Sequence, residues 1–401
     1  MTDTTGTLTF PGLDTLRAVA SIAVVATHTS FWAGGYGAGL PGAVTQRLEV
    51  GVAIFFVLSG FLLSYPWLRH LRTGAQHDSV GRYFFKRALR ILPVYWVAVI
   101  AALLLLDQNS SVAPARWVDS LLLVDMYRND VLPHGLTQMW SLATEVAFYA
   151  LLPVGMFVLG LAVRTSWRPL LLVSLLVVTS AGSLVWSAAA AGSLASWGTW
   201  VTQALPGYLG WFCLGMALAV LDVDRRHRAD GRHLAPVRWC RAAASAPGAC
   251  WLVAGAALVV VSTPIAGEAA LVPRTASESV WRSILYGVVA GAVMLPSIFG
   301  EGHTRYARAM AQPFLRHLGH ISYSLFCCHL IVLALLYEAL DLTLFDENFY
   351  VVFALTLAVS LAVSEVLYRA VERPFLRLKN AGRRRPRRTG TRQDTATSTS
   401  S

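Results

Sequence analysis

The chain has 401 residues, 55% of them hydrophobic and only 14% charged, with a mean hydropathy of +0.54. Soluble proteins carry about 25% charged residues, and here apolar stretches long enough to cross a bilayer recur along the sequence. Those numbers exclude a soluble helical protein, whose helices would be apolar along one stripe only. A net charge of +11 suits an anionic partner, but its placement argues against nucleic acid, because the basic residues follow the loops of one membrane side.

Ten apolar spans are predicted, at 13–32, 50–68, 88–106, 140–163, 169–188, 202–221, 249–265, 282–300, 320–340 and 349–370. Ten crossings put both termini on one side. With that side cytoplasmic, only Arg47, Arg116, Arg128, Arg274 and Arg282 of the 33 Lys and Arg residues fall on outer segments. An excess of positive charge inside sets this orientation. The expected class is therefore an all-α, polytopic membrane helical bundle of about ten transmembrane helices with both termini cytoplasmic. Residues 1–12 form a cytoplasmic N-terminus, 13–378 the membrane domain, and 379–401 a basic, Ser/Thr-rich tail without stable structure. No cleavable leader is visible, since residues 1–10 are polar and no small-residue cleavage site follows the first span.

The first span reads LDTLRAVASIAVVATHTSFW and carries Asp14, Arg17 and His28. Eleven residues separate Arg17 from His28, three turns plus about 20°, so the two share one stripe roughly 16 Å apart along the axis. Ionisable residues inside a span are costly and face a bundle interior or a functional site by default. A snorkelling arginine and a core histidine are the structural alternative. In the second span, GVAIFFVLSGFLLSYPW, the small residues Gly51, Ser59 and Gly60 permit close helix approach. Lys86, Arg87 and Arg90 form a basic cluster at the cytoplasmic edge of the third, which suits either phosphate contact or a simple positive-inside anchor.

Between the third and fourth spans lies the longest outer loop, Asp107 to Met139, of a length that is often functional. The fourth span opens MWSLATEVAFYALLP, with Ser141, Glu145 and Tyr149 at i, i+4 spacing on one face. Glu145 lies about 8 Å below Trp140, at a depth similar to that of His28. An imidazole facing a carboxylate is the arrangement that orients a general base, and a structural His–Glu hydrogen bond fits the spacing equally well. The ninth span holds His329 at mid-membrane, a position where a lone histidine is more often structural than catalytic. In the tenth, Glu365 and Arg369 read as an i, i+4 ion pair. None of the five cysteines has zinc-type spacing, and no GxSxG elbow, Walker loop or HExxH occurs. No metal is expected.

LDTLRAVASIAVVATH, GVAIFFVLSGFLL, FFKRALRILPVYW, QMWSLATEVAFY, LGHISYSLFCCH and VERPF follow one another in this order. In that order they resemble the signature segments of the acyltransferase-3 family, integral membrane enzymes that O-acylate sugars, cell-wall polymers, lipids and antibiotics. The likeness runs from about Gly12 to Leu378. It implies an acyl-CoA donor, most commonly acetyl-CoA, bound from the cytoplasm, and a carbohydrate, lipid or small-molecule hydroxyl acceptor, in a bacterial cell membrane. By this resemblance His28 is the catalytic base, Arg17 the essential arginine and Glu145 the acid of the fourth-span motif. Lys86, Arg87 and Arg90 become candidate donor contacts, and Ser59, Tyr149 and His329 candidate substrate contacts. The stand-alone form, without the fused SGNH domain of many members, is expected. A transporter or flippase of a lipid-linked substrate and a catalytically silent envelope scaffold are the rival classes.

Overall fold

The computed structural model describes residues 10–37, 39–129, 131–228, 231–268 and 273–381. The tail from 382 onward, with its basic run, lies outside the described residues. Among the described residues every regular element is helical. The long elements are α1 (Pro11–Trp32), α2 (Gly39–Arg47), α3 (Val50–Thr73), α4 (Val80–Leu105), α5 (Met139–Ala162), α6 (Pro169–Ala190), α7 (Leu205–His227), α8 (Ala235–Ala244), α9 (Pro247–Val261), α10 (Ala276–Phe299), α11 (Pro313–Ala339) and α12 (Phe349–Leu367).

Local chemistry explains where these helices begin and end. Proline occupies the first turn of α1, α6, α7, α9 and α11, where its missing N–H costs nothing. Ser79 caps α4 by accepting from the backbone N–H of Arg82, so α4 starts at Val80 and takes the basic turn into the helix rather than beginning at 88. Thr275 and Glu278 form a reciprocal capping box on α10. α3 stops at Gly74 in the left-handed region, φ 70°.

A helix lies at each of the ten predicted spans. Eight of the described helices are long and apolar enough to cross a membrane, or nine when the α8–α9 pair, bent by 93°, is counted as one span. Ten crossings is thus more than length and composition support. α9 has 15 residues, about 22 Å of rise, and α1 is diluted by Asp14, Arg17, His28 and several hydroxyl residues. Leu104, Phe157, Val178, Val185, Leu252 and Tyr350 are exposed, as expected for a surface whose solvent is hydrocarbon.

α1 packs against α3, α10, α11 and α12, and α7 packs against α3 and α6. Nearest the site, α11 meets α1 backbone to backbone. A methyl group at Gly319 would overlap the carbonyl of Asp14. Gly319→Ala is therefore expected to destabilise the bundle by about 1–3 kcal/mol through overpacking. Gly155→Ala, at a helical position with open space around it, is the control expected to unfold no more easily than the parent in denaturant titrations in detergent.

Candidate active site

α1 presents its two marked residues to two different cavities. Arg17 lines an inner cavity of about 130 Å³ together with Ser59, Arg87, Arg90, Glu145 and Tyr149. It also lines an adjoining opening of about 360 Å³ shared with Arg87, Arg90 and His320. His28 lines a separate cavity of about 1030 Å³ with Trp32, Tyr36, Glu49, Gln108, His134 and Tyr337. Four of the lining residues, Gln108, His134, Gly135 and Thr137, come from the long 107–139 loop, so that segment does contribute to the site.

The inner site is rich in charge. Arg17 donates to Asp14 at 2.7 Å, and Asp14 is also approached by Arg316 at 3.5 Å and His320 at 3.7 Å. Ser59 donates to Glu145. The guanidinium of Arg87 sits over the Tyr149 ring at 5.9 Å, and its Nε is buried without a hydrogen-bond partner. Arg90 is ion-paired with Glu372 and lies over Tyr323 at 5.7 Å. Ser324 donates to the other oxygen of Glu372 at 2.8 Å.

Glu372 is the acidic residue whose partner sequence reasoning did not find. It ends a π-helical turn, Tyr368–Glu372, and is buried. π-turns are frequent at functional sites, and here the extra residue per turn brings a carboxylate onto the α4 arginine. The only prior signal was an acidic residue in VERPF, which spacing alone could not aim. Glu372→Ala leaves Arg90 without its counter-ion. It is expected to cost about 3 kcal/mol of stability, the low end for a broken buried pair because the Arg90 side chain is 25% exposed. Thermal denaturation in detergent reads that loss.

Three expectations take a different shape. Glu145 forms its hydrogen bond with Ser59 in the inner cavity, while the side-chain partner of His28 is His329, with His329 Nε2 3.0 Å from His28 Nδ1. Depth along α5 was legible, but the rotation that turns Glu145 toward α3 was not. Lys86 is ion-paired with Asp78 and is not among the residues lining either inner cavity, because its ammonium is drawn to that carboxylate on the segment before α4. His329 lines no described cavity; it is buried behind His28. Ser59 and Tyr149 do line the inner cavity. Glu365 and Arg369 form the expected pair, at 2.5 Å, and His317 adds a contact to Glu365 at 2.7 Å. No cluster of metal-ligating side chains occurs among the described residues.

Residues 10–369 match the model of a family described as an acyltransferase domain, Acyl_transf_3. The chain is 29% identical over 192 residues to the peptidoglycan O-acetyltransferase OatA of Listeria monocytogenes, covering 44% of this chain and 28% of that protein. It is 28% identical over 187 residues to the putative peptidoglycan O-acetyltransferase YrhL of Bacillus subtilis, covering 43% and 27%. Against the acyltransferase MdmB of Streptomyces mycarofaciens it is 29% identical over 155 residues, covering 36% and 38%. The matched stretches thus span well under half of each relative's own length. No solved structure matches. With its family match extending from the start of α1 through the end of α12 and into the π-turn, the chain belongs to the acyltransferase-3 family of membrane acyltransferases.

Proposed function

We propose that the protein moves an acyl group, acetyl in the first instance, from acyl-CoA on the cytoplasmic side to a hydroxyl of a cell-envelope carbohydrate, lipid or secondary metabolite, with His28 as general base. The observation that carries this reading is the division of labour on α1, with Arg17 at the inner cavities and His28 at the outer one. The count of basic residues supports a cytoplasmic placement of the inner side, and residues 13–378 then form one catalytic membrane unit.

Acyl-CoA is anionic, and the inner opening supplies cations for it. Arg17 and Arg87 face that opening, and the buried Nε of Arg87 has a donor to spare. Arg90 adds its guanidinium, already shared with Glu372. The thioester end extends along the inner cavity toward Phe326, one of its lining residues, whose ring is 6.2 Å from that of His329. An acceptor hydroxyl in the outer cavity meets it there. The hydroxyl oxygen attacks the thioester carbonyl carbon, His28 takes the hydroxyl proton, the C–S bond breaks, and that proton leaves with the CoA thiol. Glu145, Ser59 and Tyr149 shape the donor side instead of orienting the imidazole.

The test is transfer of labelled acetyl from acetyl-CoA by purified protein in nanodiscs, with an envelope fraction as acceptor, alongside binding of acetyl-CoA to the same sample. Label entering a glycan, lipid or small-molecule fraction supports the reading and identifies the acceptor class. Absence of both donor binding and transfer, with longer acyl donors included, overturns it in favour of a transporter or scaffold.

A further inference from the structure

We infer that His329 is a positioning residue that holds His28 as its Nδ1–H tautomer, leaving the Nε2 lone pair to act in the outer cavity. The inference rests on the acyl-transfer reading for its consequence, although not for its geometry.

The argument begins at the buried end. His329 Nδ1 lies 3.1 Å from the carbonyl oxygen of Leu325 and 2.9 Å from that of Phe326. Carbonyls only accept, so Nδ1 carries a hydrogen. A neutral imidazole has one N–H, and Nε2 of His329 is therefore an acceptor. That Nε2 is 3.0 Å from Nδ1 of His28, so His28 must be the donor through Nδ1. The carbonyl of Val24, one turn back on α1, is a further acceptor at the His28 ring. A helical histidine reaches its i−4 carbonyl through Nδ1, as His227 does to Val223 at 3.0 Å, so Val24 makes the same assignment. What is left on His28 is Nε2, unprotonated, on a side chain that lines the outer cavity.

The opposite assignment needs His329 as an imidazolium donating from both nitrogens. Its hydrogen-bond partners are two carbonyls and another imidazole, none a carboxylate, and the residue is 1% exposed. An unpaired charge there is costly. The two rings are tilted 36° with centroids 5.1 Å apart, an edge-on contact that suits a hydrogen bond and not a stack. The logic matches that of a base held in the correct tautomer by a partner that never touches substrate; here the partner is a second histidine fixed by its own helix backbone.

The experiment uses full-length protein in nanodiscs with nitrogen-15 histidine, read by NMR, with His28→Gln identifying the His28 signals. In the parent, His28 is expected to show a protonated Nδ1 and a bare Nε2. His329→Leu removes the acceptor; Val24 remains, so the tautomer balance shifts toward Nε2–H instead of inverting. Turnover is expected to fall roughly 10- to 100-fold with donor KM unchanged, as for loss of a tautomer-setting partner. His329→Gln offers Oε1 as acceptor and is expected to restore most of the turnover and the parent tautomer. A parent spectrum with Nε2–H or a cationic ring at His28 overturns the inference, as does a His329→Leu protein with unaltered tautomer and kcat. If no variant or parent transfers acyl groups, the functional reading fails while the parent spectrum still decides the pairing.

Discussion

Replacing His28 by alanine is expected to lower acyl transfer by about 10²- to 10⁴-fold, the usual worth of a positioned general base. His28 is the titratable side chain of α1 that opens to the outer cavity, and its side-chain hydrogen-bond partner, His329, keeps its two carbonyl contacts when His28 is removed. The fold should tolerate the change, because the packing of α1 is carried by fully buried residues on its other turns, such as Leu16, Ala20 and Val25. The effect is therefore expected in kcat, with acetyl-CoA binding intact. Equal transfer by the alanine variant and the parent, measured at saturating donor, would take His28 out of the chemistry.

Arg17→Ala and Arg87→Ala are expected to weaken acetyl-CoA binding, and Lys86→Ala is expected to leave it unchanged. A hydrogen bond from a charged donor contributes about 1.5–3 kcal/mol, which is roughly a 10- to 150-fold rise in donor Kd for each arginine. Removal of Arg17 does not strand Asp14, which keeps Arg316 and His320 nearby, so the loss should read as binding and not as unfolding. Lys86 sits within the same basic segment but is held by Asp78. Titration calorimetry on the four proteins separates a shaped phosphate site from a merely positive membrane edge, because the edge reading predicts similar small losses for all three substitutions. Arg17→Lys is expected to recover little, since an ammonium cannot reproduce the two-pronged donor geometry of a guanidinium.

Much of this protein was legible in the amino-acid sequence. Helix positions followed from apolar length, and the shared stripe of Arg17 and His28 followed from the helical repeat. Those are properties of one segment at a time. The start of α4 was set eight residues late because its first two turns are basic and amphipathic, and only the Ser79 cap marks them as helix.

The tertiary structure alone decided which side chains meet. Sequence placed Glu145 at the depth of His28, yet the carboxylate faces Ser59 and the imidazole faces His329. Arg87 and Lys86 are adjacent in sequence, yet one lines the inner cavity and the other pairs with Asp78 outside it. Glu372 reaches Arg90 through a single π-turn. The physical reason is common to all three. Depth along a helix is set by rise per residue and can be counted, whereas the direction a side chain points depends on the rotation of its helix about its own axis. That rotation is fixed by contacts such as the one between Gly319 and the backbone of Asp14, which join residues three hundred positions apart.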